Sequence, residues 1–196
     1  MNNVLIIGGT ARSCKTIISY LEKENFNIDL ITYRQKDKIY GKYKWTYLDF
    51  EDFNSVNNFI KNLPINYYDK IIFLSGNSIS ENIENIDLKE LKKFYDSYLF
   101  NYNLLLTNSV KSLNENGKII FISSIAANEA ILDVHYSAVK AANQALVKSL
   151  SLYAKENQSM VSIAPGTITD DIRKQIAQLI IDINKIDNGK IFKLGY

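Results

Sequence analysis

The chain has 196 residues, 46% hydrophobic and 22% charged, with a net charge of +2; that is one domain's worth of globular protein, without an electrostatic case for nucleic acid or an anionic membrane surface. A single cysteine, Cys14, excludes an internal disulfide and fits a reducing, cytoplasmic setting, and one Cys with one His leaves no donor set for a structural metal site. The first residues lack the basic and apolar regions of a signal peptide, and no segment reaches the roughly 20 apolar residues that span a bilayer, so no membrane partner is expected.

Apolar runs alternate with longer amphipathic stretches along the whole length, the pattern of parallel strands covered by crossover helices. The order opens with a strand at Val4–Gly8, the turn Gly8-Gly9-Thr10-Ala11-Arg12-Ser13 and a helix over Cys14–Lys23. In such a turn a dinucleotide's pyrophosphate would meet backbone N–H groups and the positive helix end. Gly8 and Gly9 allow close backbone approach, whereas Arg12 and Cys14 stand where a full glycine fingerprint has further glycines. A generic strand-to-helix turn reads the same way, and Arg12 either adds a charged contact to a phosphate or blocks it. A second strand, Asp29–Tyr33, ends without an acid. Arg34 follows it, and a basic residue there suits the 2′-phosphate of NADP better than the ribose hydroxyl of NAD, with a surface arginine as the alternative. A strand at Trp45–Asp49 and a helix at Ser55–Lys61 come next, bounded by Asp52 and Pro64. Tyr40, Tyr43, Trp45 and Tyr47 are expected to alternate into the core or across the sheet edge, since they lack the interleaved arginines of a base-stacking surface.

A strand at Lys70–Ser75 leads to Gly76 and a long helix over Leu88–Leu113. After Gly117 come a strand at Lys118–Ser123, a helix at His135–Lys155, a strand at Met160–Ala164, the Pro165-Gly166 turn, a helix at Asp171–Asn184 and, behind Gly189, a strand at Lys190–Leu194. Seven strands alternating with helices predict a single α/β domain over 1–196, a three-layer, Rossmann-like doubly wound parallel sheet. The chemistry concentrates in Ser123-Ser124 and in Tyr136-Ser137-Ala138-Val139-Lys140. Residues four apart share a helix face, so Tyr136 and Lys140 project side by side. A free phenol has a pKa of about 10, and a cation a few Å away draws it towards working pH. With a Ser124 hydroxyl near a carbonyl oxygen, this is a device for protonating a carbonyl while hydride is added to its carbon. The bland alternative is a Tyr and a Lys on a solvated face, in a chain with 13 tyrosines. His135 diverges from Tyr136 by about 100° around the helix and is expected to be structural or solvent-facing. Cys14 reads as a small residue in a glycine's place.

These residues resemble the short-chain dehydrogenase/reductase family, over nearly the whole chain, most specifically in Gly117–Ala126 and Tyr136–Lys140. The resemblance implies a hydride transfer between NADP(H), with NAD possible, and a carbonyl or alcohol. It makes Tyr136 the general acid/base, Lys140 its pKa-lowering partner and ribose ligand, Ser124 the substrate-orienting hydroxyl and Asn101 the fourth catalytic residue. Ser124 stands 12 positions before Tyr136, one fewer than the family spacing, so Ser123 is the alternative. The same resemblance assigns Gly8, Gly9, Thr10, Arg12, Arg34, Asp49, Gly76, Tyr136, Lys140, Pro165, Gly166, Thr167 and Thr169 to the cofactor. It departs from the family in the glycine turn, in Phe73-Leu74-Ser75-Gly76, which keeps only the glycine of the family's segment, and after Thr169, where no room is left for a substrate-covering loop. An open cleft, a large or carrier-borne carbonyl substrate, or completion by another subunit follows from that last departure. A homodimer or homotetramer is implied. A non-catalytic nucleotide-binding or interaction module built on the same fold is the alternative function.

Overall fold

In the computed structural model the described residues are 2–33, 43–74, 76 and 86–195. Arg34, Tyr40 and Ser75 lie outside them. The strands are β1 (Asn2–Ile7), β2 (Phe26–Thr32), β3 (Lys44–Tyr47), β4 (Tyr68–Phe73), β5 (Leu113–Ile122), β6 (Ser159–Pro165) and β7 (Ile191–Leu194). The α-helices are α1 (Cys14–Lys23), α2 (Phe53–Lys61), α3 (Leu88–Tyr95), α4 (Tyr102–Ser109), α5 (Val134–Leu150) and α6 (Asp170–Asp182).

All strand pairs are parallel, in the order β3-β2-β1-β4-β5-β6-β7. This is the doubly wound arrangement expected from the alternation of apolar and amphipathic segments. Successive strand residues face opposite sides, so Leu5, Ile7, Ile71, Phe73, Ile119 and Phe121 pack with α2, α4 and α5. Val4, Ile6, Ile72, Ile120, Val161 and Ile163 pack with α1 and α6. Every one of these strand residues is at most 1% exposed, which is why the strands read as continuous apolar runs. The strand order reverses between β1 and β4, and a ligand crevice opens at the carboxyl ends of strands flanking such a point.

Two predicted elements differ in ways that matter for the site. The long helix over Leu88–Leu113 is interrupted by a π-helical turn at Asp96–Asn101 and ends at Ser109. Gly117, expected to stop the chain before a strand, lies inside β5, where a Cβ would come within 2.7 Å of Leu113 Cβ and 2.9 Å of the Tyr68 carbonyl. The register between β4 and β5 shifts there, between Tyr68 and Lys70. Of the aromatic cluster, Trp45 and Tyr47 are exposed on edge strand β3, and Tyr43 packs partly against the core.

Candidate active site

A cleft of about 770 Å³ opens where β1 and β4 diverge. Gly8, Thr10, Arg12 and Ser13 form one side of it, Ser123, Tyr136 and Lys140 the other. Gly8 has φ 108°, a left-handed conformation that glycine adopts without a steric cost. Gly8 N–H and Gly9 N–H both donate to the Ile31 carbonyl, at 3.0 and 2.8 Å. The two glycines therefore supply the shape of the turn and spend their own donors on β2. Any backbone contact to an anion falls to the residues after them, at the start of α1, where Ser13 makes no side-chain cap. Arg12 is exposed at this rim.

Across the cleft, α5 starts at Val134 because Asp133 caps it: its Oδ1 accepts from Tyr136 N–H at 3.0 Å, and its carbonyl accepts from Ser137 Oγ at 2.9 Å. The cap fixes the backbone of Tyr136 directly. One turn on, Lys140 is only 4% exposed. Its Nζ donates to the Ile122 carbonyl at 3.1 Å and stands 5.1 Å from the Phe121 ring centroid and 5.6 Å from that of Tyr136. Gly76 completes the enclosure, because a Cβ there would lie 2.7 Å from Nζ. Burial lowers the Lys140 pKa to about 8. Burial also raises the Tyr136 phenol above its ordinary 10, with the Asp133 charge acting the same way and a hydrogen bond from Ser124 pulling it down. The buried ammonium is turned towards a β5 carbonyl, and the contact that lowers the phenol is the hydroxyl of Ser124.

The two adjacent serines are placed differently. Ser124 Oγ accepts from Ala126 N–H at 3.2 Å and reaches the phenol. Ser123 lines the cleft, with a buried Oγ that has no hydrogen-bond partner among the described residues.

Asn101 is not among the residues that line the cleft. It is 2% exposed, and its Nδ2 donates to the Phe50 carbonyl at 2.9 Å. The helix passes through a π turn at Asp96–Asn101, and Tyr98 is the residue of that turn that lines the cleft. Asp49 accepts from Glu51 N–H at 2.8 Å and shapes the loop after β3. Thr169 caps α6, accepting from Ile172 N–H at 3.3 Å. Gly166 donates to the Leu194 carbonyl at 2.8 Å, and a Cβ on it would meet the Gly195 carbonyl at 2.6 Å, so the Pro165-Gly166-Thr167 turn is packed on the end of β7. Ile168 is the residue of this turn that lines the cleft. Sequence reasoning also missed Tyr33, Asp133 and Ile131 as lining residues. An Asp ahead of a helical pattern is a capping signal and could have flagged Asp133; the others carry no local mark. His135 accepts or donates at Nδ1 with the Tyr95 hydroxyl at 3.0 Å, a structural role as expected.

Residues 3–179 match the family model described as short chain dehydrogenase. Among curated proteins, the chain is 31% identical over 112 residues to the NADPH-dependent aldehyde reductase 1, chloroplastic, of Arabidopsis thaliana, a match that spans 53% of this chain and 38% of that protein. Among solved structures it resembles a short chain dehydrogenase family protein from Francisella tularensis, with a TM-score of 0.82 at 20% identity, covering 98% of this chain and 96% of the other. It also resembles BdcA in complex with NADPH, with a TM-score of 0.85 at 14% identity over 98% and 92% of the two chains.

Proposed function

Since this chain belongs to the short chain dehydrogenase family, we propose that it is an oxidoreductase that reduces a carbonyl, or oxidises the corresponding alcohol, with NADP(H). The observation that carries the reading is the cluster of Tyr136, Lys140 and Ser124 at the cleft beside the strand-order reversal.

The cleft suits a dinucleotide. The first turn of α1 is uncapped at Ser13, and Ser123 Oγ is buried with no partner among the described residues. Residues Thr10–Ser13 would hold the phosphates, and Lys140 the nicotinamide ribose. When bound, the nicotinamide supplies or accepts the hydride. The chain's own part is the proton. Tyr136 Oη is kept protonated by burial and by the Asp133 charge, so at neutral pH it is an acid ready to donate to a carbonyl oxygen. Ser124 orients that oxygen from the other side. NADP(H) is favoured over NAD(H) by the exposed Arg12 at the phosphate rim, and the Arabidopsis relative is by its name NADPH-dependent.

Ile131, Ile168 and Tyr98 add apolar surface to the cleft, and α6 begins at Asp170 directly after the Pro165–Thr169 turn. That geometry favours a substrate presented from an open side, a small carbonyl compound or one borne on a carrier. Tyr136→Phe is expected to lower turnover by ~10²–10⁴-fold, with the dissociation constant for NADPH changed less than twofold. Retained turnover in that variant would remove Tyr136 from the mechanism. Failure of the wild type to bind either nicotinamide nucleotide at millimolar concentration would favour a non-catalytic interaction module.

A further inference from the structure

Tyr33, the residue after β2, lines the cleft on the same side as Gly8, Thr10 and Arg12. It occupies the place where nucleotide choice is made, yet it is neither an acid nor a base. Its hydroxyl donates to Glu51 Oε1 at 2.5 Å. Glu51 comes from the loop between β3 and α2, and that loop is itself fixed. Leu48 N–H donates to the Thr32 carbonyl at 2.9 Å, Asp49 N–H to Ser55 Oγ at 3.3 Å, and Glu51 N–H to Asp49 Oδ1 at 2.8 Å. A carboxylate missing from the tip of β2 in the sequence is thus delivered there by the neighbouring strand's loop.

Resting on the oxidoreductase reading above, we propose that Glu51, held at the cleft rim by Tyr33, sets the choice between the two nicotinamide nucleotides by opposing the extra phosphate that distinguishes NADPH from NADH. Arg12 and Tyr33 both line the cleft and Glu51 is bonded to Tyr33, so a guanidinium that would draw the 2′-phosphate and a carboxylate that would repel it are set at the same rim. The Tyr33 phenol feels both carboxylates, which together with burial hold it protonated, so it remains a donor to Glu51 and keeps the carboxylate at the rim. Lys93 on α3 also senses Glu51, but its ammonium is engaged by Glu90 at 3.1 Å. NADH, which bears a ribose hydroxyl there, meets an acceptor and no repulsion. The preference for NADP(H) is on this account held well below what Arg12 alone would give.

The test is the ratio of dissociation constants for NADPH and NADH, titrated against intrinsic fluorescence in the full chain. Glu51→Gln keeps an acceptor for Tyr33 and removes the charge. It is expected to tighten NADPH by about five- to tenfold at low salt, with NADH within twofold, and the gain should shrink as ionic strength rises. Tyr33→Phe, which frees Glu51 to swing into solvent, should move the ratio in the same direction by a smaller factor. A loss of fold integrity would weaken both nucleotides together and leave the ratio where it was. An unchanged ratio in Glu51→Gln, with both nucleotides bound, overturns this proposal and leaves the oxidoreductase reading intact. If neither nucleotide binds the wild type or the variant, both fall together.

Discussion

The surroundings of the Tyr136 hydroxyl favour its protonated form. Its phenol is kept protonated by desolvation and by the Asp133 carboxylate, and the lysine one turn away is buried so thoroughly that its own proton is weakly held, with a pKa of about 8. The position of Lys140 depends on what is missing at residue 76. A methyl group there would stand 2.7 Å from Nζ and 3.1 Å from Cε. Because those atoms are the far end of a flexible side chain, Gly76→Ala is expected to fold normally, with a melting temperature close to wild type. It displaces the ammonium from the Ile122 carbonyl, and a misplacement of about 1 Å at a reacting centre costs about 10²-fold in rate. Comparing kcat with the thermal melt of the same preparation separates the two effects.

At the scale of elements, the site hangs on two helix irregularities. The Asp133 cap starts α5 so that Tyr136 N–H is its ligand. Asp133→Ala removes the acceptor and is expected to destabilise the protein by about 1 kcal/mol, whereas Asp133→Asn keeps a capping oxygen and most of that stability, a contrast that denaturant titration reads directly. Both substitutions delete a negative charge that raises the phenol's pKa, so the alkaline limit of carbonyl reduction should move to lower pH in each. The second irregularity is the π turn at Asp96–Asn101. It buries Asn101 against the Phe50 carbonyl, turns Tyr98 to the cleft and sends Tyr102 into the core, where it meets Phe73 and Phe121 at ring distances of 5.3 and 6.2 Å. Helical periodicity carried across Leu88–Leu113 assumes one phase throughout and holds no mark of such a change.

For the molecule as a whole, the clearest electrostatic signature is its buried lysines. Lys70 in β4 donates to the Ile180 carbonyl near the end of α6 at 2.9 Å, and burial lowers its pKa from 10.5 to about 8, with the neighbouring Lys118 acting the same way. Lys140 is shifted similarly. Between about pH 8 and 10.5 the unfolded chain keeps protons that the folded one has released, so stability should rise with pH across that window. Above pH 10 the buried phenols of Tyr68 and Tyr136 reverse the trend, since the unfolded chain ionises first. A urea midpoint higher at pH 9.5 than at pH 7.5, and a smaller rise in Lys70→Met, are the expected results. The apolar alternation that runs from Val4 to Leu194 determined the parallel sheet and its two helical layers, because burial on both faces demands continuous apolar strands. Four-residue spacing likewise determined that Tyr136 and Lys140 would share a face. Where Lys140 points, which tyrosine lines the cleft and which loop brings Glu51 to Tyr33 were decided only by the tertiary structure, for they depend on contacts between segments far apart in the chain, and local sequence holds no record of those distances.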